Sequence, residues 1–401
     1  MTGDSTIEEN AQRFRDAVLA SPELQARLGV FVDPAAFGAE ARAIAAELGL
    51  NADTLSFDPP APDPLGISRY MGAPVTLDHW PSIGWLPVRA VPGHDGPAFD
   101  WAWFGDRTLR EPLYEDSVRR MGTRPLSRLY RTRTDLAALI AGAAQEDTLE
   151  PDGFVFHMSR CGSTLVAQML AAVPHHIVAS EAAPIDEMLQ WALSSGASFD
   201  HQVAALRAIV AALGRNRSGA ARRYFLKLDA WHIFALPLFR AAFPETPWIF
   251  LYRQPEEVVV SHVGMPGMHF VTGMLSATEV VADDAIVSME DRGAAVLARY
   301  LDAAVQHFPS GRGMLVNYAN LRAAMELAIP THFGFAPDAD EAAAMLAATT
   351  RHSKAPDQAY SDDTARKRAA VTPEIAAAVE THLRDSYARI EALRHAESAT
   401  T

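Results

Sequence analysis

The stretch Gly153–Leu170, GFVFHMSRCGSTLVAQML, constrains this chain more than any other. An apolar run, Phe154–His157, enters a polar, tight-turning segment, Ser159–Ser163. An apolar helical pattern (Leu165, Val166, Met169, Leu170) then begins at once. This order reads as strand, loop and helix, the repeating unit of an α/β sheet. Gly162 lets the backbone approach a ligand or take a positive φ. A hydroxyl at Ser163 or Thr164 can cap the helix. Amide N–H groups converge where such a loop meets a helix N-terminus, and the helix dipole there favours an anion. Arg160 adds a guanidinium fork suited to phosphate or sulfate oxygens. An ordinary βα connection with a surface arginine fits the same local pattern. A Walker-type nucleotide loop does not: Gly162 is followed by Ser163 where lysine is required, and His157 replaces the first glycine.

At 401 residues the chain can bury one large core or two modest ones. Its net charge of −14 argues against broad nucleic-acid contact, yet leaves room for a local basic cleft. The single cysteine, Cys161, excludes an intrachain disulfide and suits a reducing compartment. The opening MTGDSTIEENAQRF lacks the basic and apolar regions of a signal peptide, and no run reaches the ~18 apolar residues of a membrane span. The expectation is a cytoplasmic protein without membrane insertion.

Residues 1–50 carry two helical patterns, Ile7–Ala20 and Pro34–Leu48, and the Pro/Asp-rich Asn51–Gly66 reads as a connector. Ile67–Asp106 holds four tryptophans, Trp80, Trp85, Trp101 and Trp103, in short runs separated by turns. They pack a small β-containing element or line a cleft, packing being the commoner use of tryptophan. Leu113–Met121 and Thr134–Ala144 read as helices. Beyond the anion loop, strands are expected at His175–Ala179, Tyr224–Leu228, Trp248–Tyr252 and Met314–Val316. Helices are expected at Ile185–Leu193, Phe199–Leu213, Ile233–Phe243, Ala294–Phe308 and Pro373–Leu393. The alternation implies an α/β fold, a mostly parallel central sheet with helices on both faces. Residues 1–150 then form a mixed helical and β-containing region, 151–395 the α/β domain, and 396–401 a disordered tail. Ligands on such sheets gather beyond the C-terminal strand ends, where Arg160, Glu181, Asp229 and Arg253 fall.

Trp248–His262, WIFLYRQPEEVVVSH, delivers Arg253 from a strand and places Ser261 eight residues later on a helix. An arginine fork and a hydroxyl can bind a phosphate monoester together, and a capping arginine beside a surface serine gives the same pattern. Arg160-Cys161-Gly162-Ser163-Thr164-Leu165 resembles the 5′-phosphosulfate loop of sulfotransferases that use 3′-phosphoadenosine-5′-phosphosulfate, closest to arginine-bearing bacterial and carbohydrate-type members. Arg253 to Ser261 is similar to the 3′-phosphate segment of the same family, with Gln254 where asparagine is frequent. The two motifs stand about 90 residues apart in family order. The resemblance spans about residues 153–395, leaving the first 150 unexplained, and implies a P-loop-like architecture.

It also implies a base and a cationic pair for sulfuryl transfer. Glu181, in ASEAAPIDEM, resembles the family's Ser-Glu-Pro glutamate, with Ala182 in place of proline. Asp229 follows Lys227 by two residues, as a catalytic histidine follows lysine in aryl and steroid sulfotransferases. His232 is a third candidate base. Each has a structural reading as well: Glu181 and Asp229 as caps, His232 as a surface residue. Lys227 and Arg160 are the candidate cations for the sulfuryl group. Arg351 and Lys354, in TRHSKAP, resemble the C-terminal basic loop, although the Arg-Lys-Gly triplet is missing and a solvated turn fits equally. Tyr318 resembles the tyrosine of a Tyr-Glu-Asp-Leu element that has lost its acids, and is taken as structural.

The leading expectation is transfer of a sulfuryl group from the phosphosulfate nucleotide to a hydroxyl or amine of a small, partly apolar acceptor. No metal is expected, since no compact cluster of ligating residues stands in the sequence. A nucleotide-dependent small-molecule kinase is the rival enzyme, weakened by the missing Walker lysine. A non-enzymatic nucleotide-binding or protein-interaction module is the third reading. The loop Gly264–Gly273, with Met265, Met268, His269 and Phe270, and part of Trp80–Phe104 can line an acceptor pocket or simply pack.

Overall fold

A computed structural model describes residues 2–57, 74–267, 288–349, 351–352, 355–359 and 363–398. Most of the connector Asn51–Gly66, the loop from Met268 to Gly273, and Lys354 lie outside the described residues. The chain divides into two compact units. One comprises Met1–Leu149 with Ala182–Glu187 and Arg207–Ala221; the other comprises Glu150–Glu181, Met188–Leu206 and Arg222–Thr401.

The first unit opens with helices Thr2–Ala20, Pro22–Gly29 and Pro34–Glu47. The middle one is absent from the sequence expectation. Ser21 caps it through the Leu24 N–H, and Pro22 sits in its first turn, so eight residues suffice. A four-stranded sheet follows, built from β1 (Val75–Leu77), β2 (Trp85–Pro92), β3 (Pro97–Trp103) and β4 (Thr132–Thr134) in the order β1-β4-β3-β2. Trp80, Trp85, Trp101 and Trp103 are all buried, which assigns them to this core. The Trp80 and Trp101 rings lie 5.6 Å apart, and their indole N–H groups donate to Leu139 O and Thr134 Oγ1, both at 2.9 Å. Arg215, only 1% exposed, lies over both rings at 5.4 and 5.9 Å. Its guanidinium donates to Ser82 O and Trp85 O and pairs with Glu146. A buried arginine with both Nη groups bonded in this way is a structural pin.

The second unit holds five parallel strands: β5 (Gly153–His157), β6 (His176–Ser180), β7 (Arg223–Lys227), β8 (Trp248–Tyr252) and β9 (Gly313–Asn317). Their order is β6-β7-β5-β8-β9. All residues of β5, β6 and β8 are buried, as a sheet covered on both faces requires. Phe154 and Phe156 of β5 pack edge to face with Phe239, Phe243 and Trp248. The fold is therefore the expected α/β architecture with a parallel central sheet, joined to a second, mixed sheet in the first unit.

Several boundaries differ for local reasons. The expected helix Ile233–Phe243 is a 3₁₀ turn, Ala230–Ala235, followed by an α-helix, Leu236–Ala242, with Pro237 in its first turn. The pattern Pro373–Leu393 splits at Leu383 into Pro373–His382 and Arg384–Ser398, so helix continues through residues 396–398 of the expected tail. Arg351 falls in a two-residue strand, β10 (Arg351–His352), paired with β11 (Ala355–Ala359). The last helix is tied to β8 and β9 by a buried polar knot. Asn317 Nδ2 donates to Tyr387 OH at 3.0 Å and Glu391 Oε1 at 3.1 Å, and Arg394 Nε donates to Tyr252 OH at 3.0 Å. No helix among the described residues is long and apolar enough to cross a membrane.

Candidate active site

The C-terminal ends of the parallel strands form one row. In spatial order it reads Glu181 after β6, Lys227 at the end of β7, His157 at the end of β5, Arg253 after β8 and Tyr318 after β9. Neighbouring strands lie about 4.8 Å apart, so the β6 and β8 ends, three intervals apart, stand about 14 Å from each other.

The loop after β5 is held in an unusual backbone. Ser159 (φ 74°), Arg160 (φ 50°) and Gly162 (φ 91°) are all left-handed, and so is Glu181 (φ 51°) across the row. Among the described residues only four non-glycines have positive φ, and three of them stand in this row. Such positions cost of order 1–3 kcal/mol each and persist only where surrounding bonds enforce them. Here Met158 N donates to Leu251 O, Ser159 N to His157 Nδ1, and Cys161 Sγ to Leu251 O. Cys161 is fully buried, and burial pushes its thiol up to about 12, so it packs the loop and is no nucleophile.

The helix Ser163–Ala171 starts without a side-chain cap, contrary to the expected capping by Ser163 or Thr164. Gly162 itself takes the N-cap place because its left-handed turn ends the loop there. Ser163 and Thr164 become the first helical residues, whose N–H groups have no carbonyl four residues back within the helix. A Cβ on Gly162 would meet Leu321 Cδ2 at 2.8 Å and the Tyr318 ring at 2.9 Å. Gly162→Ala is therefore expected to destabilise the fold by about 1–3 kcal/mol and to weaken anion binding at the loop. Denaturant unfolding and nucleotide titration of the same sample measure the two effects.

Glu181 meets Lys227 directly. Lys227, 1% exposed, donates from Nζ to Glu181 Oε1, while His157 Nε2 stands 3.5 Å from the same oxygen. Burial acts to raise the Glu181 pKa, but the Lys227 ammonium and His157 outweigh it and hold the carboxylate well below its usual range. Burial, reinforced by Lys227 and opposed by Glu181, pushes His157 down to about 4. At neutral pH Glu181 is thus a carboxylate and His157 a neutral imidazole. Arg160 donates to Met265 O at 3.1 Å; burial lowers its pKa, with the Glu181 carboxylate acting in the opposite sense.

Asp229 and His232 form a reciprocal capping box on the 3₁₀ turn Ala230–Ala235. Asp229 N donates to His232 Nδ1 at 3.2 Å, and His232 Nε2 lies 3.8 Å from Asp229 Oδ2. His232 is 2% exposed, which corrects the reading of it as a surface residue.

Arg253 is 4% exposed at the end of β8. Its Nε pairs with Glu257 at 2.6 Å, and an Nη donates to Asp363 Oδ1 at 2.9 Å and Thr364 Oγ1 at 3.2 Å. Its guanidinium lies 4.1 Å from the Tyr318 ring centre. Asp363 also holds Lys367 at 2.9 Å, and Glu257 holds Arg368 at 2.8 Å. Ser261 lies half-buried on the helix Pro255–Gly264 that Arg253 precedes. The short helix Thr364–Ala369, with Arg366, Lys367 and Arg368, thus packs on Arg253, and sequence reading named none of its residues. Its run TARKRA was the available signal. Beside the loop lies a cavity of about 300 Å³ lined by residues that include Leu165, Tyr318, Leu321, Arg322, Met325 and Thr349.

Residues 151–331 match the family model described as Sulfotransferase family. No curated protein matches the sequence. Solved structures similar to this chain include the sulfotransferase STF1 from Mycobacterium tuberculosis, at 18% identity over 53% of this chain and 76% of that one, with a TM-score of 0.36. The sulfotransferase domain of the Synechococcus olefin synthase matches at 15% identity over 62% and 96%, with a TM-score of 0.36. The sulfotransferase from Alicyclobacillus acidocaldarius matches at 13% over 62% and 97%, with a TM-score of 0.37. Residues 151–331, which carry the loop after β5, Glu181, Lys227 and Arg253, are thus the part of the chain that matches the sulfotransferase family, a little under half of its length.

Proposed function

We propose that the chain transfers a sulfuryl group from 3′-phosphoadenosine-5′-phosphosulfate to a hydroxyl or amine of a small acceptor. The observation that carries this reading is the row of strand ends. It sets a carboxylate and a buried ammonium at one end, an anion loop at its middle and a buried arginine about three strand intervals away.

The residues present fit the nucleotide. The glycine cradle that a Cβ would fill, the first-turn amides of Ser163–Ala171, Arg160 and Lys227 suit its phosphosulfate end. Arg253, with Ser261 and Lys367 as auxiliaries, suits the 3′-phosphate, and the cavity between Leu165 and Thr349 suits a planar base. When bound, the nucleotide supplies an electrophilic sulfur whose bond to the phosphate oxygen breaks as the acceptor atom bonds to it. Glu181 is the base that takes the acceptor proton, with Asp229 and His232 behind it because both are engaged in the capping box. Lys227 and Arg160 lie where negative charge must be neutralised. The carbonyl of Met265 now holds Arg160, and that bond must exchange for ligand oxygens.

The test is a binding comparison on dialysed, chelator-treated protein. Adenosine 3′,5′-bisphosphate is expected to bind without added metal and far more tightly than ATP. Preferential binding of ATP with Mg²⁺ would support the kinase instead. Binding of the bisphosphate without consumption of the phosphosulfate donor, across a panel of phenols, alcohols and amines, would support a binding module.

A further inference from the structure

His157 is the one member of the Glu181 group with no role assigned so far. It is buried at the end of the central strand β5, its side chain 5% exposed. Its Nδ1 accepts the Ser159 N–H at 3.0 Å, and a nitrogen that accepts carries no proton, so the neutral ring bears its hydrogen on Nε2. Nε2 finds no hydrogen-bond partner among the described residues, and its nearest acid is Glu181 Oε1 at 3.5 Å. Lys227 already donates to that same oxygen.

From this geometry we propose that His157 is a positioning residue: with Lys227 it engages Oε1 of Glu181 and so directs Oε2 toward the acceptor. The inference rests on the reading of Glu181 as base. It explains a difficulty in that reading, since a carboxylate paired with a buried ammonium is a weak base. An anionic ligand at the loop draws Lys227 toward itself. The neutral Nε2–H then remains to orient Glu181 without the Coulombic depression that an ammonium imposes. The proton taken from the acceptor ends on Oε2, leaving Glu181 neutral, and His157 gains and loses none.

Two isosteric changes separate this role from mere support of the loop. In His157→Asn the amide oxygen can still accept the Ser159 N–H, but no donor from position 157 reaches Glu181. In His157→Gln an amide N–H stands near the former Nε2, while the loop acceptor is lost. With the phosphosulfate donor and a mixture of phenols, alcohols and amines, release of the bisphosphate should fall at least about tenfold in His157→Asn, as for a misplaced catalytic group. His157→Gln should recover most of that loss, and bisphosphate affinity in His157→Asn should stay within about twofold of wild type. The reverse order, with Asn active and Gln inactive and binding weakly, would assign His157 to the loop and overturn the inference. Thermal unfolding of each variant separates misfolding from lost positioning.

A second measurement needs no turnover. In ¹⁵N-histidine-labelled full-length protein, identified by loss of its signal in His157→Gln, the His157 ring should show a bare Nδ1 and a protonated Nε2 at neutral pH. Its Nε2 resonance should move when Glu181→Gln is introduced. A protonated Nδ1, or an Nε2 signal indifferent to Glu181→Gln, refutes the arrangement. Full turnover in Glu181→Gln would instead remove the base assignment, a failure distinct from either of these.

Discussion

Replacing Glu181 by glutamine is expected to lower turnover by about 10²–10⁴-fold, the range for losing acid–base assistance, while the bisphosphate dissociation constant changes little. Glutamine keeps the size and reach of the side chain but cannot take a proton. The pH dependence adds a sign. Glu181 is held below the usual carboxylate range in the free protein by Lys227 and His157, against burial. The acid limb of kcat/KM, which reports free enzyme, should therefore lie below the ordinary glutamate pKa of about 4.3. The limb of kcat should lie higher, because a bound anion competes for Lys227. Both limbs should vanish or move in Glu181→Gln. Asp229→Asn is the contrast. Asparagine keeps a capping oxygen in the box, so stability is expected to change little and turnover to be largely kept. If Asp229→Asn abolishes turnover in a folded protein while Glu181→Gln does not, the two assignments exchange places.

The second large effect is expected at Arg253. Arg253→Ala should weaken binding of adenosine 3′,5′-bisphosphate by about 10–100-fold, as for loss of a charged, multi-bond contact, and leave a nucleotide without the 3′-phosphate almost unaffected. Calorimetric titration with the two nucleotides reads the ratio directly. The ratio matters because Arg253 also pairs with Glu257 and Asp363, so its removal lowers stability as well. Arg368 and Lys367 remain to hold those two acids, which should keep the variant folded enough to titrate. Equal losses for both nucleotides would make Arg253 a support for Tyr318 and the cavity beside it. Arg253→Lys should not restore binding, because an ammonium cannot reproduce the two-sided fork.

What was legible in the sequence was local. Arg160 to Leu165, and Arg253 with Ser261, are strand–turn–helix segments whose parts lie within a few residues of one another. Their strand–turn–helix form could be read from the pattern, whereas their assignment to a nucleotide rests on the family resemblance. The placement of Glu181 and Lys227 at strand ends followed from the apolar runs before them, but their ion pair depends on β6 lying beside β7. Nothing in chain order states that adjacency. His157 registered only as a residue that was not glycine, since its meaning lies in a neighbour 24 positions away. The packing of Thr364–Ala369 on Arg253 spans 110 residues and escaped notice for the same reason. The cap at Gly162 was misread because a left-handed glycine leaves no side-chain signature.

The membership of the first unit bears on the order in which this chain matures on the ribosome. Its core is not complete at residue 149. Arg215, which lies over Trp80 and Trp101 and bonds to Ser82 and Trp85, is synthesised only after β5 and β6. Domains ordinarily consolidate as they emerge, N-terminal part first. Here the aromatic sheet must wait for about 70 further residues at roughly 5–20 residues per second, an interval of several seconds with tryptophan faces unfilled. The nascent chain thus passes through a stage in which its earliest segment is the more exposed to chaperones and to self-association.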